Sequence, residues 1–240
     1  MKYQTPLTPG KILKRYKRFL ADVRLESGEV ITAHTPNTGS MKTCWGPEWN
    51  VLLSYHHSPT RKLKYGLEMT HSGQTWINVN TNMTNKIALE ALKNGQIKEM
   101  KKYQYFKPEV KIGQSRIDIL AFNGPDESLK NATEKCYIEV KNVTLIGEQD
   151  VALFPDAIST RGQKHLRELM DIKKSGDEAA MLYVINREDT ASFSPAREID
   201  PEYAELLTQA EKQGVQILPY RCRLTESEVI IDQLVPYKLI

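Results

Sequence analysis

Apolar positions recur in two different rhythms along this chain, and the rhythm changes near residue 80. Before that point, short runs of aliphatic, β-branched and aromatic residues are broken by Gly, Pro and polar pairs. Residues 11–25, 29–33, 50–56, 62–70 and 75–79 read as strands, the first two joined around Ser27-Gly28. Short strands packed so closely in sequence suit a small barrel. An OB-fold is the expected form, because it is a five-stranded barrel used for oligonucleotides.

Past Asn80 the spacing turns helical. Thr81, Asn82, Thr84 and Asn85 offer helix-capping side chains, Ile87, Ala88, Ala91 and Leu92 share a helix face, and Asn94-Gly95 supplies a stop. Three extended stretches follow at 105–112, 116–122 and 136–146, with a polar loop over 123–134. A helix is expected at 161–174, ending at Gly176, and a buried strand at 179–185. Another helix starts with Asp200 as its cap and Pro201 at its first position and ends at Gly214. Residues 215–218 and 229–234 read as strands. Helix, three strands, helix, strand, helix and strand make a layered α/β domain.

Composition narrows the classes. Hydrophobic residues make up 40% and charged residues 26%, enough for a sizeable core without a disulfide or structural metal. No run approaches the ~20 apolar residues of a membrane span, and Met1–Pro6 lacks the apolar segment of a secretory signal. The expectation is a cytoplasmic protein with no membrane partner. Cys44, Cys136 and Cys222 are isolated, so reduced thiols are expected rather than a zinc site or disulfide framework. The net charge of +3 says little, but Lys2, Lys11, Lys14, Arg15, Lys17 and Arg18 precede the first acid, Asp22. Such a local field can neutralise phosphates, although a solvated basic strand has the same composition.

The chemistry concentrates in two strands. In the run Tyr137-Ile138-Glu139-Val140-Lys141, residues two apart share a face, so Glu139 and Lys141 project together while Ile138 and Val140 face the opposite layer. Asp118 sits between Ile117 and Ile119, and an acid inside an apolar strand is costly unless paired or bound to metal. If the two strands are neighbours, Asp118 and Glu139 can share a divalent cation. Mg2+ or Mn2+ on one or two carboxylates can activate water against a phosphodiester, with Lys141 steadying the developing charge. Simple salt bridges to Arg116 or Lys141 are the alternative use of the same residues.

The arrangement resembles the PD-(D/E)XK nuclease superfamily. Four segments are closer still to the sugar fermentation stimulation protein A family: His34-Thr35-Pro36-Asn37-Thr38-Gly39-Ser40-Met41, Ser115–Asp118, Tyr137–Leu145, and Phe154-Pro155-Asp156-Ala157 through Arg161–Leu166. That resemblance implies an OB-fold over residues 1–80 and a nuclease-like α/β domain, a mixed sheet flanked by helices, over 81–240. It also implies DNA as partner and a connection with sugar-utilisation genes. Asp118 and Glu139 become metal ligands and Lys141 the catalytic lysine. Glu90 in the first helix is the candidate to complete the site, and Glu109 is its rival. Asp118 follows Ile117 where the superfamily pattern has proline. Pro155-Asp156 is a literal Pro-Asp pair but lies after the Glu-x-Lys run.

Further residues suit a nucleic-acid backbone: Lys14, Arg15, Lys17 and Arg18, then His34, Asn37, Thr38 and Lys42 after the second strand, and Arg161, Gln163 and Lys164 beside His165 at a helix start. Gln163 is also placed to reach an attacking water. Turn-forming hydrogen bonds or an exposed polar helix turn would account for the same residues. Trp45, Trp49, Tyr55 and Trp76 can stack bases or fill the barrel. Strandedness of the DNA and oligomeric state, a homodimer included, are open at this level. So is the choice between a nuclease, a non-catalytic DNA-binding regulator and an RNA- or nucleotide-processing accessory protein.

Overall fold

The computed structural model describes residues 1–113 and 115–239. Six strands form the first sheet: β1 (Thr8–Tyr16), β2 (Leu20–Leu25), β3 (Val30–His34), β4 (Asn50–Tyr55), β5 (Tyr65–His71) and β6 (Trp76–Asn78). They run in the order β3-β2-β1-β4-β5-β6, and an extra β3–β5 pairing closes five of them into an OB-like barrel. Ile12, Val23, Leu53, Leu67 and Ile77 fill the interior. The stretch read as one strand over 11–25 is in fact a hairpin. It reverses at Lys17 and Arg18, whose φ angles of 48° and 66° are both left-handed. Tight hairpins need that conformation to match strand twist, but usually take Gly or Asn there. No turn residue marks the reversal in the sequence.

The second sheet is built from β7 (Tyr105–Ile112), β8 (Ser115–Asn123), β9 (Glu134–Val143), β12 (Glu178–Ile185), β14 (Gln216–Leu224) and β15 (Val229–Leu234). Its order is β15-β14-β12-β9-β8-β7. The β9–β12 and β12–β14 pairs are parallel and the rest antiparallel. The central strand β12 is buried on both faces, which is why its sequence runs apolar without alternation. Helix α1 (Thr84–Lys93) covers one face, packing Ile87, Ala88 and Ala91 on Ile119, Ile138 and Leu182. Helices α2 (Thr160–Lys174) and α3 (Pro201–Lys212) cover the other, with Leu166, Leu169 and Leu207 against Met181, Tyr183 and Ile217. Burial of each such aliphatic side chain contributes roughly 1.5–3 kcal/mol. A small sheet of β10 (Leu145–Ile146), β11 (Val151–Phe154) and β13 (Ser192–Pro195) lies beside them. Among the described residues, no helix is long and apolar enough to cross a membrane. All three cysteines are free and buried.

Barrel and sheet share packing and polar contacts. Leu52 and Met69 join the α1-side core. A buried amide chain then runs from β6 to the end of β9: Asn78 Nδ2 donates to Asn186 Oδ1 (3.0 Å), and Asn186 Nδ2 donates to Asn142 Oδ1 (2.6 Å). Buried polar groups are tolerated only when satisfied, and a satisfied network fixes a unique arrangement. Arg187, 2% exposed, adds a second tie. It donates to the carbonyls of Thr43 (3.1 Å) and Thr144 (2.8 Å) while its Nε and Nη2 hold Asp189. The first three residues run along the second sheet: Tyr3 N donates to Ser227 O and Lys2 bridges to Glu228.

Candidate active site

The site arises where two paired strands part. The β8–β9 ladder ends at Ile119↔Ile138, and continuing the register would set Asp118 opposite Glu139. Instead the Asp118 carboxylate enters the opening fork and its Oδ2 accepts from the backbone N–H of Val140 (2.9 Å). The strand rotates here. Ile119 packs on the α1 side, whereas Ile117 packs with α2 and α3. Strand alternation would put Ile117 and Ile119 on one face, and it fails here, where the β8–β9 ladder stops.

Glu139 projects toward α2, away from Ile138 and Val140, which lie in the α1-side core. Its carboxylate is almost fully buried, and Oε1 accepts from Lys141 Nζ (2.8 Å) and contacts His165 Nδ1. Arg161 Nε donates to His165 Nε2 (3.4 Å), and the ring's other nitrogen, Nδ1, faces Glu139. Lys141 Nζ lies 3.0 Å from the same Nδ1. From the other face of the sheet, Asn85 Nδ2 donates to Asp118 Oδ1 (2.9 Å). Two helices and two strands therefore converge on one acid pair.

The two carboxyls are electrostatically unlike. Burial raises the pKa of Asp118, and the charge of Glu139 raises it further. The Val140 and Asn85 hydrogen bonds and Lys141 offset this only in part. Burial also acts to raise Glu139, but the His165 hydrogen bond and the Lys141 ammonium outweigh it and hold the carboxyl below the ordinary range. Among the described residues, Glu139 Oε2 has no hydrogen-bond partner and no group of three or more His, Cys, Asp or Glu side chains forms a closed cage. Two carboxylates with a free oxygen suit a hard, oxygen-seeking divalent cation better than a structural zinc.

The structure brings Asp118, Glu139 and Lys141 together, but it takes both glutamates elsewhere. Glu90 Oε1 lies 2.7 Å from the ammonium of Met1, on the side of α1 that faces β15. Glu109 lies across the edge ladder with a left-handed φ of 54° and pairs with Arg116 (2.9 Å), both exposed. Gln163 is buried, and its Nε2 donates to Asp200 Oδ1 (2.9 Å), the cap of α3, rather than pointing at Asp118. Arg161 and Lys164 are on the exposed face of α2, Lys164 donating to Ser115 Oγ (3.0 Å).

The barrel residues divide similarly. Lys17 and Arg18 form an exposed hairpin tip, and Lys42 and Thr38 are exposed. Lys14 pairs with Asp22 (3.2 Å). Arg15 Nη2 is spent on the carbonyls of Arg18 (2.5 Å), Asn37 and Gly39 (3.0 Å each), so it pins the 34–41 loop. Asn37 Oδ1 accepts from Gly39 N (2.9 Å), and His34 is half-buried beside Phe19. Asn85 was legible only as a helix-capping type, and His165 only as one polar residue of a helix start. Their contacts with Asp118 and Glu139 depend on tertiary packing.

Family models match nearly the whole chain: the SfsA N-terminal OB domain over residues 13–79 and the sugar fermentation stimulation protein RE domain over residues 82–228. A sugar fermentation stimulation protein homolog of Geotalea uraniireducens is 47% identical over 232 residues, 96% of each chain. That of Citrifermentans bemidjiense is 47% identical over 240 residues, 100% of each. The solved structure of Pyrococcus furiosus SfsA in complex with Ca2+ shares 24% identity, covers 99% of this chain and 98% of that one, and superposes with a TM-score of 0.83.

Proposed function

This chain belongs to the sugar fermentation stimulation protein family, and on that premise we propose that it is a nuclease hydrolysing DNA phosphodiester bonds with a divalent cation on Asp118 and Glu139. The observation that carries the reading is the fork between β8 and β9, where two acids come close enough to repel beside an ammonium. A fold would not keep a buried like-charge pair for stability alone, since each acid raises the cost of ionising the other.

Bound there, Mg2+ or Mn2+ would lower the pKa of a water and offset phosphate charge. The Ca2+ named for the Pyrococcus furiosus relative is likewise an oxygen-seeking divalent ion. Lys141, already aimed at the acids, stabilises negative charge growing on the phosphoryl oxygens. His165 acts through Glu139, holding its Oε1 so that Oε2 stays free. Asn85 orients Asp118. Glu90 takes no part, since its carboxylate serves Met1. The exposed cations Lys17, Arg18, Lys42, Arg161 and Lys164 contribute phosphate contacts, which predicts binding that weakens with salt.

The test is cleavage of single-stranded, double-stranded and branched DNA by the full chain in Mg2+, Mn2+ or chelator, with Asp118→Ala and Lys141→Ala alongside. Metal-dependent cleavage that falls at least a hundredfold in both variants is expected. Equal traces from wild type and Asp118→Ala would assign the activity to a contaminant. Salt-sensitive DNA binding without cleavage would leave a non-catalytic regulator.

A further inference from the structure

The two segments that most mark this chain, 34–41 and 154–157, take no part in the acid pair, yet they meet each other. Ser40 donates to Asp156 Oδ2 through both its N–H (2.9 Å) and its hydroxyl (3.1 Å). Gly39 packs so closely that a Cβ there would lie 2.5 Å from the same oxygen. Between these segments and the end of β9 lies a cavity of about 240 Å³. Thr81 reaches it from the α1 side, and Phe154, packed on Tyr183 and Tyr203, from the other. It thus caps the end of the sheet, outside the carboxyl ends of the parallel strands β9 and β12, where α/β sheets bind ligands.

Its chemistry is specific. The sole charged group in the lining, Asp156, is occupied by Ser40. Leu145, Leu153 and Phe154 provide apolar walls. Asn37 Nδ2, Asn142 Nδ2 and the Thr144 hydroxyl have no partners among the described residues, and none is sealed from solvent. A slot with apolar walls, one engaged carboxylate and a few open amide and hydroxyl groups suits a planar heterocycle, not a phosphate. Its volume is below the ~300–1,000 Å³ of sites for whole small ligands, so one ring system fits and a stacked pair does not. The floor residue Asn142 directly follows Lys141, about 3.8 Å away along the backbone. It is held by Thr84 (3.0 Å), the neighbour of Asn85.

We propose that this cavity receives a single nucleobase turned out of a DNA strand, so that the preferred substrate carries an unpaired or mispaired base beside the scissile bond. The proposal names the substrate class of the nuclease site and rests on that reading for cleavage, but not for binding. Extruding a base costs a few kcal/mol, least where pairing is already lost, which gives the preference its direction.

The experiment uses duplexes with 2-aminopurine either paired or opposite a mismatch, bound by the full-length Lys141→Ala protein, with anisotropy reporting binding. A rise in 2-aminopurine fluorescence of threefold or more is expected at the mismatch. It should be lost in Thr38→Phe, at an exposed lip position, and reduced in Asn37→Leu. Binding by anisotropy with no rise at the mismatch, or a rise unchanged by Thr38→Phe, overturns the pocket while leaving the nuclease reading intact. A fluorescence rise with no cleavage by wild type supports the pocket and defeats the nuclease reading instead.

Discussion

Replacing Asp118 by asparagine is expected to stabilise the metal-free protein while destroying the site. The Asp118 carboxyl is pushed above its usual range, by burial first and by Glu139 second. The folded state then holds that proton more tightly than the unfolded chain. Ionised Asp118 therefore costs stability at neutral pH, and the cost fades as pH falls through the folded pKa and is gone below the unfolded one. Asparagine has the same shape and no charge. Its Oδ1 can accept from Val140 N, and its Nδ2 can face Asn85 once that amide turns its oxygen inward.

Relief of a destabilised functional residue commonly gains about 0.5–2 kcal/mol, which for a chain of this size raises the melting temperature by about 1–8 °C. A divalent cation reverses the order. At a hundred times its dissociation constant it stabilises the wild type by about 2.7 kcal/mol, and the variant gains nothing. Calorimetry at pH 8 in chelator and then in Mn2+ reads both effects. A variant that melts below wild type in chelator, or that gains as much from Mn2+ as wild type does, would refute the reasoning.

Three further outcomes follow from named contacts. Glu139→Gln removes a carboxylate held below its ordinary pKa by His165 and Lys141; breaking such a buried pair costs about 3–5 kcal/mol. Glu139 contributes stability above its unfolded pKa and loses it as pH falls through the folded one, so the gap between wild type and variant in urea melts should close in acid. Arg187→Met orphans Asp189 and the Thr43 and Thr144 carbonyls, with a similar loss of about 3–5 kcal/mol, and hydrogen exchange should rise at the barrel–sheet seam before it rises in the β12 core. Asp156→Ala frees only Ser40, so its stability cost should stay near about 1–2 kcal/mol while the mismatch-dependent fluorescence signal disappears.

The layered α/β domain was readable because its helices carry both period and punctuation: Asp200-Pro201 opens α3, and the left-handed glycines 95, 176 and 214 follow the three helices. The barrel was readable as strands but not as hairpins, since Lys17-Arg18 turns without Gly or Asn. Strands β11 and β13 escaped notice because each is four residues long and they pair with one another across about forty residues. Asp118, Glu139 and Lys141 stood out as charges in apolar strands. Glu90 and Gln163 matched the expected residue types on the expected helices, but a one-dimensional pattern does not fix which face of a helix meets the sheet fork. The amphipathic stripe of α1 leaves Asn85 and Glu90 both exposed, and only packing against β8 and β15 decides that Asn85 meets the aspartate.

Fold and site cannot be separated at the fork. Once the β8–β9 ladder stops at Ile119↔Ile138, the Val140 N–H needs an acceptor, and Asp118 supplies it with the oxygen opposite the one held by Asn85. The same carboxylate thus ends a ladder and presents charge to Glu139. An alanine at 118 removes the charge but also strands a backbone donor, which costs about 1–3 kcal/mol when buried. Lost activity in that variant would therefore mix chemistry with a loosened fork. Asparagine keeps the acceptor and removes only the charge. If Asp118→Asn and Asp118→Ala lose cleavage equally while only the alanine variant loses stability, the catalytic requirement is the charge itself and the hydrogen bond serves the fold.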